Sequence, residues 1–182
     1  MGKLGQLIQA TEQAREQFLA SVAPLTFAQA TFQPDPDTWS ILAIAEHIVR
    51  AEQSGVMGMW KALDGIRKGE PVWSGEPVHR GLSIEEVVAR TWQPKEKVPD
   101  IAAPIWGGSL SYWIAILKAQ RVLLQELAEA LGGYDLETIL FPHPISGPLD
   151  VRQRLEFLRF HLDRHRAQVE QVKSHPDFPQ AK

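Results

Sequence analysis

Four long stretches of this chain carry apolar side chains at intervals of three and four residues, and that spacing limits its fold more than any other feature. In the first, apolar residues at 4, 7, 8, 14, 18 and 22 follow the helical period until Pro24 stops it. The second begins where Thr38 to Ser40 can cap a helix. It continues through Ile41, Ile44, Ala45, Ile48 and Ala51 toward Trp60 and Leu63, and must end before Pro71. Gly55 and Gly58 fall inside it and are expected to loosen its second half. The third, Leu110, Ile114, Leu117, Leu124, Leu127 and Leu131, stops at Gly132-Gly133, a pair suited to a C-terminal cap. The fourth can be capped by Asp150 and carries Val151, Leu155, Leu158, Leu162, Val169 and Val172 as far as Pro176. Each stripe needs another to cover it, and no stretch makes a convincing strand. The expectation is an all-α four-helix bundle.

Between the second and third helices lies a long irregular link, residues 69–108, broken by Pro71, Pro77, Pro94, Pro99 and Pro104. Only Ser83-Ile-Glu-Glu86, with capping-box spacing, predicts a short helix there, ending near Trp92. Links of this length tend to be functional or floppy. Another loop, containing Phe141-Pro-His-Pro144 and Gly147-Pro148, precedes the last helix. No repeat, low-complexity tract or composition break marks a boundary, so one domain over residues 1–182 is expected.

Composition narrows the chemistry. The formal charge is −3 and the Lys and Arg residues are scattered rather than gathered into a stripe, which disfavours nucleic acid as a partner. Cysteine is absent, which removes disulfides, Cys-ligated zinc and a thiol nucleophile, and leaves imidazole and carboxylate as metal ligands. Any thiol chemistry must therefore use an external thiol. No apolar run approaches the roughly 20 residues that cross a bilayer, and Met1 to Ala10 lacks the basic and apolar regions of a signal peptide. No membrane partner and a cytoplasmic location are expected. Glycine-rich phosphate loops, a G-x-S-x-G elbow, H-E-x-x-H and an EF-hand loop are all missing.

The histidines are the residues that suggest a site. His161 and His165 are four apart on the fourth helix, so they share a face with Cβ atoms about 5–6 Å apart, within reach of one ion. His165 falls within the apolar stripe and His161 at its edge, so both point inward. His47, between Ile44 and Ile48, borders the buried face of the second helix. Three imidazoles from two helices would suit a divalent first-row ion and leave coordination positions open. The same three could instead be separate core histidines, each with its own hydrogen-bond partner. His79, His143 and His175 lie in loops or beyond the last helix, where surface or loop-packing roles are expected, with His143 the one suited to a pocket. Glu46, Glu52, Glu156 and Asp163 could orient imidazole ligands or sit on solvated helix faces. Trp73, Trp92 and Trp106 could line a pocket or anchor the link. No residue is singled out as catalytic.

Three stretches resemble the DinB-like family, also described as DinB/YfiT-like metalloenzymes. They are Thr38-Trp-Ser-Ile-Leu-Ala-Ile-Ala-Glu-His-Ile-Val49, His143-Pro-Ile-Ser-Gly-Pro-Leu149 and His161-Leu-Asp-Arg-His165. With the helix order they cover nearly the whole chain. The resemblance implies a four-helix bundle in which His47, His161 and His165 bind a divalent metal, with zinc or nickel favoured, and it makes a homodimer plausible. Relatives include transferases and an isomerase that use low-molecular-weight thiols, and members labelled as hydrolases. The expected function is a metal-dependent transferase that brings such a thiol to an electrophilic small molecule. A metal-dependent hydrolase, or a non-catalytic metal-stabilised stress or binding protein, are the alternatives.

Overall fold

The computed structural model describes residues 2–93 and 96–180. Along the chain come α1 (Lys3–Val22), α2 (Phe27–Thr31), α3 (Ile41–Lys68), α4 (Ile84–Thr91) and α5 (Leu110–Ala130), then β1 (Leu140–His143), β2 (Gly147–Asp150) and α6 (Val151–Lys173). The four expected long helices are α1, α3, α5 and α6, and the fold is all-α apart from the two short strands. Among the described residues no helix is long and apolar enough to cross a membrane.

The helix ends follow local chemistry. Ser40 Oγ accepts from the Ala43 N–H at 3.2 Å and starts α3. At the other end Gly69, at φ 73°, turns into the left-handed region that side chains avoid and closes the helix. Asp150 and Gln153 form a reciprocal capping box at the start of α6, with bonds of 2.7 and 3.2 Å.

Helix α1 packs on α6 and α5, and α3 on α5 and α6. Two apolar clusters fill the interior. One gathers Phe18, Ile41, Ile48, Trp113, Leu117, Leu162 and Val169. The other gathers Met59, Leu63, Leu124, Leu127 and Leu155 at the far end of the same helices. Fully burying such a side chain stabilises the fold by about 1.5–3 kcal/mol, so these stripes, rather than helix propensity, hold the bundle together.

The stretch between the first two long helices contains a further short helix, α2, capped by a reciprocal Thr26–Gln29 box. Two expectations are corrected. The loop before α6 is not strand-free, since β1 and β2 pair antiparallel with Leu140 opposite Asp150 and His143 opposite Gly147. Its prolines hid it, because Pro142 and Pro148 face each other and neither has an N–H for a ladder. Nor do the glycines loosen α3, which runs unbroken to Lys68. Gly58 is where the Phe141 ring lies on the helix, since a Cβ there would come within 2.2 Å of the ring.

The link is partly tied down. Ile84 and Val87 of α4 pack with Leu149 and Phe157, and the Ile84 N–H donates to Glu156 at 3.3 Å. Pro94, one of the expected helix breakers, lies outside the described residues.

Candidate metal centre

Helices α3 and α6 run antiparallel where they meet, with His47 beside His161 and His165 and Gly55 beside Arg154 and Leu158. The three imidazoles therefore converge. His161 Nε2 lies 3.0 Å from His47 Nε2 and 3.0 Å from His165 Nε2. One nitrogen from each ring falls within 4.8 Å of the others, and all three residues are buried.

The outer nitrogens decide what the inner ones can do. His47 Nδ1–H donates to the Ala102 carbonyl at 2.8 Å, and His165 Nδ1–H donates to Gln168 Oε1 at 2.6 Å. In the neutral rings both Nε2 atoms are then lone pairs aimed at His161. One N–H on His161 Nε2 could satisfy one of them, leaving the other facing a nitrogen with nothing to donate. Protonation is not the remedy, because burial holds all three pKa values below the ordinary imidazole range, His161 and His165 well below. A buried convergence of lone pairs that at most one proton can serve fits a cation. The donor set fits a metal-binding protein, with Ala102 and Gln168 fixing the tautomers of His47 and His165.

The histidines open into a cavity of about 860 Å³ between α3, α6, the link and the hairpin turn. Trp39 packs on His47 with ring centroids 4.9 Å apart, and Phe157 stacks on His161 at 5.2 Å. Trp39 occupies the position before the Ser40 cap and Ile44 the fourth helical position, the pair that forms a hydrophobic staple. Both line the cavity.

His143 also lines the cavity and is buried, so it has the pocket position rather than a surface one. Its Nδ1 accepts from the Ile145 and Ser146 N–H groups at 3.2 and 3.1 Å. Burial, reinforced by Arg154, pushes its pKa down to about 3. His79 packs in the link, where its Nε2–H donates to the Ser146 carbonyl at 2.8 Å, and His175 lies against Phe32.

None of the four acidic residues touches an imidazole, and two are not on solvated faces either. Glu46 is buried and accepts the N–H groups of Ile105, Trp106 and Gly107 at 2.7–2.8 Å, fastening the link to α3. Glu52 is buried against Arg15. Glu156 binds Arg152, and Asp163 lies near Arg159 and Arg166. Of the tryptophans, Trp92 lines the cavity and also anchors the link, since its indole N–H donates to Ser146 Oγ at 3.0 Å. Trp106 is exposed and stacks on Trp113, and Trp73 is exposed. Sequence reasoning passed over Ala102 and Gln168, and it passed over Arg154. A glutamine three residues after His165 was a readable signal; a carbonyl 55 residues from its histidine was not.

Comparison with known proteins agrees with this architecture. A family model described as the DinB superfamily matches residues 10–169. The uncharacterised protein YuaE of Bacillus subtilis is 27% identical over 148 residues, 78% of this chain and 81% of that protein. No solved structure gives a significant match.

Proposed function

The chain belongs to the DinB superfamily, and from that premise we propose that it is a metal-dependent transferase in which His47, His161 and His165 hold one divalent ion, zinc or nickel, and a low-molecular-weight thiol is brought to an electrophilic small molecule. A divalent ion held there lowers the pKa of a thiol, which then reacts as thiolate at neutral pH. The observation that carries the reading is the buried convergence of three Nε2 atoms on one cavity. Ala102 and Gln168 keep the two flanking rings in the tautomer that offers a lone pair. Trp39 and Phe157 wall the histidines and limit water around them.

The surroundings favour a thiol over water as nucleophile. Water activation is helped by a base near the histidines, and His143 was the natural candidate. Its acceptor nitrogen is occupied by two backbone donors, and burial keeps it from taking a proton at neutral pH. The carboxylates lining the cavity are Asp37, which is exposed, and the half-buried Glu96. A thiol whose pKa is lowered needs no such base. The absence of cysteine fits a thiol brought from outside.

Elemental analysis of purified protein tests the site. One equivalent of metal is expected, lost in His47→Ala, His161→Ala and His165→Ala. Turnover of a haloaromatic electrophile, assayed with and without added thiol, tests the reaction. Undiminished metal in all three variants removes the site, and ester hydrolysis without thiol would replace transfer by hydrolysis.

A further inference from the structure

We propose that Arg154 and His143 form a subsite for a carboxylate in the same cavity, with Arg154 about 10 Å along α6 from His161, so that the molecule reacting at the histidines is held by an acidic group at its other end. The location of the reacting end rests on the function proposed above; the subsite itself does not.

Arg154 is 5% exposed and lines the cavity. Among the described residues its Nη1 is buried without a hydrogen-bond partner, and no carboxylate forms an ion pair with it. Its guanidinium carbon lies 5.4 Å from the Phe141 ring centroid, a contact with the ring that leaves the N–H groups unused. Burial alone lowers its pKa, to about 10, so the group stays charged at neutral pH. A buried cation without a partner is costly to keep, and such residues are kept where a ligand supplies the partner.

His143 provides a second donor on the same wall. Because its Nδ1 accepts two backbone N–H groups, the single proton of the neutral ring sits on Nε2. One guanidinium and one neutral N–H match the single charge and two oxygens of a carboxylate better than a doubly charged phosphate. The distance follows from both helices. Arg154 precedes His161 by seven residues on α6, and Gly55, whose Cβ would lie 3.4 Å from Arg154 Nη2, follows His47 by eight on α3. At 1.5 Å per residue these are about 10 and 12 Å.

Paired probes test this. Cobalt-loaded protein is titrated with 8-mercaptooctanoic acid and with 8-mercaptooctanol, following the absorbance of a thiol sulfur bound to cobalt. The acid is expected to bind about 10- to 100-fold more tightly than the alcohol. Arg154→Gln should erase that advantage while leaving the alcohol and the cobalt content unchanged, and Arg154→Lys should restore part of it. 3-Mercaptopropionate, too short to span the cavity, should not respond to Arg154→Gln. An acid that binds no better than the alcohol, or an advantage that survives Arg154→Gln, overturns the proposal. Thermal melting separates a packing role, because Arg154→Gln is expected to melt no lower than the parent and a large fall would assign the residue to the core. If the parent holds no cobalt, the metal site has failed. Titration of the metal-free protein with octanoate, in parent and Arg154→Gln, then still reads the subsite, with equal affinities counting against it.

Discussion

Of the three buried arginines, Arg15, Arg152 and Arg154, the first and the last differ most. Arg15 of α1, buried in the bundle interior, is held by Glu12 on its own helix and by Glu52 across from it on α3. Arg154, in the cavity wall between α3 and α6, has no carboxylate against it among the described residues. Glu46 belongs with the first, since three backbone N–H groups neutralise it inside the protein. The three histidines belong with the second, since His161 Nε2 can offer a proton to at most one of the two lone pairs that meet it. The charges of Arg15 and Glu46 are met inside the protein before any ligand arrives, although Arg15 Nε itself lacks an acceptor, whereas among the described residues Arg154 and the histidine lone pairs are left for something to complete. Satisfaction, more than burial, separates what holds this bundle together from what it offers to a ligand.

The comparison can be broken most forcefully at Arg15. Arg15→Ala leaves Glu52 beside Glu12 without its cation, and a loss of about 3–5 kcal/mol is expected in denaturant unfolding. Burial already raises Glu52 to about 7 against the pull of Arg15, so the variant should also take up a proton on folding near neutral pH. A loss under about 1 kcal/mol would place Arg15 with Arg154 and end the distinction.

Glu46→Ala comes next. Three N–H groups lose their acceptor, and about 2–3 kcal/mol should go with them. Hydrogen exchange at Ile105, Trp106 and Gly107 should accelerate while α5 and α6 stay protected. Uniform acceleration would mean the carboxylate supports the whole bundle rather than the link.

Acid should act on the cavity side. His143 is depressed to about 3 in the folded chain and returns to about 6.5 on unfolding, so the unfolded chain binds more protons below pH 6.5. Its contribution is complete above that pH and is lost as pH falls toward 3. Metal-free protein should lose about 2 kcal/mol from this group between pH 7 and pH 5. His161 and His165 shift the same way and add to the loss. His143→Asn, which keeps an acceptor for the turn and cannot titrate, should flatten the stability profile. An unchanged profile would clear His143 of that role.

The smallest effect concerns tautomers. Gln168→Ala removes the acceptor of His165 Nδ1–H, and metal affinity should fall about 10-fold with little change in unfolding of the metal-free chain. Equal affinity would show that the ring needs no such guide.

The long helices were legible because their causes are local. Ser40, Asp150 and the three-and-four spacing act within one or two turns, and a reader of the chain sees every partner. The hairpin was not legible, because β1 and β2 are a few prolines and apolar residues whose pairing is supported by Phe141 lying on Gly58, some 80 residues earlier in the chain. Gly55 and Gly58 misled for the same reason. Their effect depends on what approaches them, and nothing near them in sequence says what that is.

The amino-acid sequence by itself determined four amphipathic helices, their ends, and the placement of His47, His161 and His165 toward buried faces. Only the tertiary structure decided that His161 Nε2 lies 3.0 Å from nitrogens of both His47, 114 residues away, and His165, that Glu46 and Glu52 are spent on the fold, and that Arg154 has no ion-pair partner among the described residues. Periodicity gives the face a side chain occupies, whereas a partner across helices depends on how the helices rotate and slide against one another, which the whole core sets at once.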